Sequence, residues 1–242
     1  MKILLLGYGK MGRAIEAIAL RKGHQIIQKI DIHNRDQLQH YRQGDADVAI
    51  EFTSPEAVVS NLEFCLAHHL PVVCGTTGWL SEFQHISERF RQHGGALFYA
   101  PNYSIGVNIL FALNRFLARL MASQPQYRPT IVEVHHTEKK DAPSGTAIAL
   151  AEAILPFFQS LKGWELTPNA QENQLPITAI RQPDIFGIHT VTYQSTIDTI
   201  EIKHVAHSRE GFAQGALWAA EWLIGKKGVF GMEDMLSLSL PQ

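Results

Sequence analysis

The chain has little cysteine, no long apolar run and almost no net charge, and each shortage closes off a class of function. Only Cys65 and Cys74 occur among its 242 residues. Both sit in apolar surroundings without metal-ligand spacing, so they read as reduced, buried thiols rather than a disulfide framework. The opening MKILLLGYGKMG turns at a glycine after a run too short for a signal peptide and far too short to span a bilayer. The expectation is a cytoplasmic protein with no membrane partner. A formal charge of -2 gives no basic footprint for nucleic acid. The twelve histidines show no HxxxH or HExxH spacing and no pairing with cysteine, so no metal is expected.

What remains is a folded chain with 45% hydrophobic residues, enough for one large core or two modest ones. It has no internal repeat, linker or low-complexity segment. The first hundred residues alternate strand and helix patterns. Strands are predicted at Lys2 to Leu6, Gln25 to Ile30, Val48 to Phe52, Pro71 to Cys74 and Ala96 to Tyr99, with helices at about Lys10 to Lys22, Pro55 to His68 and Ser81 to His93. Asp31 to Asp45 is polar and aperiodic, a loop or short helix. Such alternation implies a parallel sheet covered on both faces.

After Pro101 the pattern changes. A long helix is predicted from Gly106 to Met121, a strand from about Thr130, a helix from Ser144 to Leu161 and turns over Leu166 to Leu175. Strand-like runs then follow at Ile177 to Arg181, Gly187 to Ser195 and Thr199 to His207 with no helices between them, which implies an antiparallel or mixed sheet and a second domain. A last helix, Phe212 to Leu223, is expected to pack back on the first domain. The fold class is therefore α/β. A Rossmann-like, doubly wound parallel-sheet domain (1–102 plus 209–242) is joined to an α+β substrate domain (103–208) with a mixed, largely open sheet.

Gly7, Gly9 and Gly12 form GxGxxG directly after a predicted strand and at the opening of a helix, the context a dinucleotide pyrophosphate requires. Tyr8, Lys10 and Met11 lie within the same turn. Asp31, at the end of the second strand, is placed to accept ribose hydroxyls; a surface-loop aspartate would look the same. Lys10, Arg13 and Arg35 leave the choice between NADH and NADPH open. Gly75, Thr76 and Thr77 follow the fourth strand, and Ala100, Pro101, Asn102 and Tyr103 follow the fifth, where ligands of such sheets bind. For Thr76 an ordinary helix-capping turn is the alternative.

The densest chemistry lies between Ile131 and Ala149. A strand ends in His135 and His136, passes Lys139 and Lys140, and enters a helix through Ser144, Gly145 and Thr146. Imidazole and ammonium groups can move a proton, while the helix start favours a carboxylate. Alternation along a strand puts His135 and His136 on opposite faces unless the strand ends there. Simple helix capping is the bland reading of the Ser-Gly-Thr turn. His204, His207 and Arg209 form a second basic group.

Taken together, GYGKMGRAI, FTSPEA, CGTTGW, APNYSIGVN, VEVHHTEKKDAPSGTA, DIFGIHT and HSREGFAQGA resemble, in that order and over nearly the whole chain, the 4-hydroxy-tetrahydrodipicolinate (dihydrodipicolinate) reductase family. The resemblance implies NAD(P)H-dependent reduction of a cyclic imine dicarboxylate in lysine and diaminopimelate biosynthesis, with NADH or NADPH as cofactor. It implies His135 as proton donor or acceptor, Lys139 as proton donor, and His136, Ser144, Gly145 and Thr146 as holders of the substrate carboxylates. It further implies a homotetramer joined through the second domain's sheet. The stretch from Asp31 to Asp47 is shorter than in many members, leaving Arg35 as candidate for a 2′-phosphate contact without a supporting motif. Two other readings are a reductase of another small amino or imino acid, resembling aspartate dehydrogenase, and a non-catalytic dinucleotide sensor.

Overall fold

The computed structural model describes residues 1–208 and 210–238. Among the described residues the chain divides into two compact units, one of residues 1–105 and 210–238, the other of residues 106–208. The domain bounds expected from the sequence, 102/103 and 208/209, lie a few residues from these. Arg209 lies outside the described residues.

The first unit follows the predicted alternation. Its sheet holds β1 (Lys2–Leu6), β2 (Gln25–Ile30), β3 (Val48–Glu51), β4 (Val72–Cys74) and β5 (Ala96–Tyr99). All pair in parallel in the order β2-β1-β3-β4-β5. The order reverses between β1 and β3, the switch point outside which such sheets bind ligands. Between the strands run α1 (Lys10–Arg21), α2 (Pro55–Ala67) and α3 (Leu80–Gln92). Alternate strand residues feed two cores. Ile3 and Leu5 pack with Ile15, Phe98 and Ala216 on one face, and Leu4 and Leu6 pack with Val58, Leu62 and Phe90 on the other. Burying each such Leu or Ile side chain contributes roughly 1.5–3 kcal/mol. The polar stretch after β2 forms a short 3-10 turn over Arg35–His40.

The second unit contains α4 (Ile105–Met121), β6 (Arg128–His135), α5 (Gly145–Ile154), β7 (Trp164–Leu166), β8 (Leu175–Arg181), β9 (Gly187–Gln194) and β10 (Thr199–Ala206). Its five strands run in the order β10-β9-β6-β8-β7, with β6 antiparallel to β9 and parallel to β8. Ile131, Ile177, Val191 and Tyr193 on one sheet face pack against Leu110, Leu150 and Ile154 from the helices.

Two expectations change, and the last helix lies where it was expected. The helix predicted through Leu161 ends at Ile154 and tightens into a 3-10 turn at Leu155–Phe157. Pro156 has no N–H to donate and its ring crowds the preceding turn, so the α-helix cannot continue. The three-residue strands β7 and β11 (Gly228–Phe230) are too short to show a period, and β11 adds a parallel edge beside β5. The chain from Glu210 forms α6 (Glu210–Leu223), whose Ala213, Ala216 and Leu217 join the core under β1 and β3, followed by α7 (Met232–Leu236). No helix among the described residues is long and apolar enough to cross a membrane.

Candidate active site

In the first unit the glycine turn between β1 and α1 is built for a ligand's backbone approach. Gly7 adopts a φ of +97°, and a Cβ there would overlap the Phe52 carbonyl. Gly12 is equally closed, against the Gly7 carbonyl, whereas a Cβ on Gly9 would meet nothing within 4 Å. Gly7 and Gly12 thus serve the turn, and Gly9 leaves the space. Gly9 caps α1 without a side-chain hydrogen bond, and no acidic residue sits in the first turn. The N–H groups of Lys10, Met11 and Gly12, which lack acceptors within the helix, are therefore suited to a phosphate. The Tyr8 hydroxyl donates to Glu16, which also receives Lys29 at 3.1 Å.

Asp31 is half-buried at the end of β2. Its Oδ1 accepts the His33 N–H at 2.8 Å, and its own N–H donates to Asn34 Oδ1 at 2.7 Å. Arg35 is turned elsewhere and donates to Ser60 Oγ at 2.6 Å. On the neighbouring rim, Thr76 Oγ1 accepts the Thr53 N–H at 2.7 Å, so its side chain ties two loops together. Thr77 is exposed, and Gly75 is closed in by the Phe52 ring. Ala100 is buried, and Pro101 and Asn102 reach the surface. Tyr103 points into the core, where its hydroxyl donates to the Cys74 carbonyl at 2.7 Å. Beneath this rim the buried Glu51 carboxylate accepts from Thr53, from Asn61 at 3.3 Å and from the Cys74 thiol at 3.3 Å.

In the second unit, β6 alternates so that Glu133 and His135 both face inward. The Glu133 carboxylate, fully buried, is the hub. Its Oε2 meets His135 Nδ1, and its Oε1 accepts from Arg181 at 3.0 Å and from the Ser144 N–H at 3.3 Å. Burial pushes the Glu133 carboxyl up, but the His135 and Arg181 contacts outweigh it and hold the group below the usual carboxylate range. A glycine at 187 makes room for the His135 ring, because a Cβ there would come within 3.1 Å of Nε2. His136 follows at the end of the strand, half-buried. Lys139 Nζ lies 2.9 and 2.8 Å from the two Asp141 oxygens, a contact that lowers the Asp141 pKa.

Ser144 caps α5 by accepting the Ala147 N–H at 3.2 Å, and its Oγ lies 3.0 Å from His189 Nε2. Since the Ser144 N–H serves Glu133, the open amides of this turn are those of Gly145 and Thr146. Gly145 is exposed, with space where a Cβ would stand. His204 is half-buried near Gly106, and His207 is exposed. Glu133, His135 and His189 offer metal-ligand atoms within 4.8 Å of one another. The carboxylate of that group already receives Arg181 and His135, while His189 is joined by hydrogen bond to Ser144 rather than to either of them.

Sequence reasoning did not find Glu133, Arg181, Gly187 or His189. The spacing of Glu133 two residues before His135 on a strand was the available signal, since alternation places both on one face. Arg181 lies forty-six positions beyond His135, and only the β6–β8 register, His135 opposite Arg181, brings it in.

A parallel sheet with an open glycine turn at its switch point, joined in one chain to a second unit carrying a buried histidine–carboxylate pair beside a helix start, is the architecture of a dinucleotide-dependent oxidoreductase. The chain belongs to the dihydrodipicolinate reductase family: the family's N-terminal model matches residues 1–103 and its C-terminal model residues 106–236. It is 47% identical to a 4-hydroxy-tetrahydrodipicolinate reductase of Christiangramia forsetii over 98% of both chains. It is 38% identical to one of Methanosarcina mazei over 81% of this chain and 75% of that one. In fold it is similar to a dipicolinate-bound dihydrodipicolinate reductase from Paenisporosarcina sp. TG-14, with a TM-score of 0.76 at 20% identity, covering 97% of this chain and 98% of that one.

Proposed function

We propose that this chain reduces 4-hydroxy-tetrahydrodipicolinate, a hydroxylated cyclic imine dicarboxylate, to tetrahydrodipicolinate in lysine and diaminopimelate biosynthesis. The observation that carries this reading is the Arg181–Glu133–His135 chain beside the Ser144-capped start of α5. The net change adds one hydride and one proton to the ring and releases one water.

The dinucleotide, NADH or NADPH, supplies the hydride when bound. Gly7, Tyr8, Gly9, Lys10, Met11 and Gly12 would hold its pyrophosphate, and Asp31 its ribose. The rims at Gly75, Thr76 and Thr77 and at Ala100, Pro101, Asn102 and Tyr103 would hold the nicotinamide half, the last through backbone rather than the inward-facing Tyr103 ring. A carboxylate at Asp31 disfavours a 2′-phosphate, and Arg35 is committed to Ser60. Both favour NADH.

The remaining steps belong to the second unit. Glu133 takes His135 Nδ1–H, so Nε2 is the ring nitrogen left to exchange a proton with substrate. Lys139 delivers a proton from beside the same strand end, oriented by Asp141. The helix-start amides of Gly145 and Thr146, with His136 and the Ser144 hydroxyl, grip carboxylates. Residues 1–102 and 209–242 would then serve the cofactor and 103–208 the substrate and assembly, in a cytoplasmic homotetramer.

A steady-state assay with enzymatically generated substrate and each cofactor in turn tests the proposal. Cofactor oxidation dependent on the cyclic substrate, faster with NADH, is expected, and aspartate should support none. Failure of both cofactors with the cyclic substrate would overturn it.

A further inference from the structure

Inward-facing side chains form a register row across the second sheet: Glu133 on β6, His189 on β9 and His204 on β10. His189 is the one in contact with the substrate turn. It is 5% exposed, and its ring stands edge-on to His135 with centroids 5.0 Å apart. Its Nε2 lies 3.0 Å from Ser144 Oγ, and its Nδ1 is buried with no partner among the described residues.

A neutral imidazole carries one N–H, and the two tautomers are not equivalent here. With the proton on Nδ1, a buried donor would have no acceptor, which costs free energy that a bare lone pair largely avoids. With the proton on Nε2, it is donated to Ser144 Oγ. That oxygen already accepts the Ala147 N–H at 3.2 Å. Both of its lone pairs are then occupied, and its own proton must point away from α5 and from His189. Burial, with the like-charge influence of nearby His135, His204 and Lys139 opposed by Glu133, pushes the His189 pKa down to about 4, so the ring stays neutral in the working range.

We propose that His189 is a positioning residue for substrate: its Nε2–H fixes the Ser144 hydroxyl as a donor to a carboxylate of a cyclic dicarboxylate seated at the Gly145–Thr146 turn. The inference rests on the reading of that turn as the carboxylate site. Two variants and one spectroscopic measurement test it. His189→Leu removes the donor, and His189→Gln keeps an N–H of similar reach.

For His189→Leu the expected result is a roughly tenfold rise in KM for the cyclic substrate and an equal weakening of pyridine-2,6-dicarboxylate binding by calorimetry. kcat and the KM for NADH should change less than about twofold, as for a side chain that acts on ground-state binding. His189→Gln should recover most of the loss. Equal dicarboxylate binding in parent and Leu variant, or a loss that Gln does not recover, would overturn the proposal. If the parent turns over nothing while dicarboxylate binding still depends on His189, the functional reading falls and the inference stands. Nitrogen-15 NMR of the unsubstituted protein reads the tautomer directly, whatever the variants' stability. A proton on Nε2 supports the proposal, and one on Nδ1 ends it.

Discussion

Glu133 joins three functions in one carboxylate: it orients His135, neutralises Arg181 and anchors the turn into α5. Glu133→Gln keeps the shape, removes the charge and leaves the part-exposed Arg181 without this counter-ion. We expect kcat to fall by roughly 10²-fold or more, because a positioned general acid or base contributes about 10²–10⁴. Steady-state kinetics on the folded variant check this, and near-parental kcat would remove Glu133 from the mechanism. The same cluster sets an acid response. His189 has a folded pKa of about 4, below its ordinary 6.5, so the unfolded chain binds that proton more readily. Its contribution is complete above about pH 6.5, declines as pH falls and levels off below 4, a loss of about 3 kcal/mol. Glu133, also lowered, adds a loss at the acid end. Thermal unfolding between pH 7 and 4 should therefore fall less steeply in His189→Gln than in the parent; parallel curves would contradict this. At this scale the sequence made His135, Lys139 and the Ser144 turn legible because their residue types are rare in such density. Glu133 passed as one polar position on a strand, and His189 as one of twelve histidines.

Among the elements, the β1–α1 turn separates structural glycines from a ligand-facing one. Gly7 has a positive φ and a carbonyl against it, so Gly7→Ala should destabilise the first unit or abolish its folding. Gly9 has a negative φ of -81° and open space, so Gly9→Ala should fold with parental thermal stability. If that space receives the pyrophosphate, Gly9→Ala raises the KM for NADH severalfold while substrate KM holds. Unchanged NADH KM would place the phosphates elsewhere. The fingerprint spacing revealed both glycines but not their division of labour, which depends on Phe52 arriving from β3. Other elements were lost for similar reasons. A three-residue strand such as β11 carries no period, and its place beside β5 is fixed by a pairing over a hundred residues apart. The end of α5 was within reach of local rules, since Pro156 stood in the sequence as the stop.

For the whole molecule, the second sheet presents an uncovered face. Helices α4 and α5 pack against Ile131, Ile177, Val191 and Tyr193, while the opposite face carries Ile180, Val134, Ile188 and Val205 side by side across four paired strands. Ile180 is 41% exposed and Val205 38%. An in-register, part-exposed apolar row of this kind is a candidate protein-contact surface. On the edge strand β10, Glu201 and Lys203 stand on the same face as Val205. Their charge disfavours sheet extension by edge pairing, so if the proposed homotetramer forms through this sheet, face-to-face packing of two copies is the expected contact. Alternating strands without intervening helices made the open sheet legible, but the row depended on the registers of three strand pairs. A double variant, Ile180→Lys with Val205→Lys, places two like charges on that face without touching the helix-packed side. The parent should sediment as a tetramer and the variant as a smaller species with an intact circular dichroism spectrum. A tetrameric variant would move the contact to another surface, and a monomeric parent would leave the apolar row to some other partner.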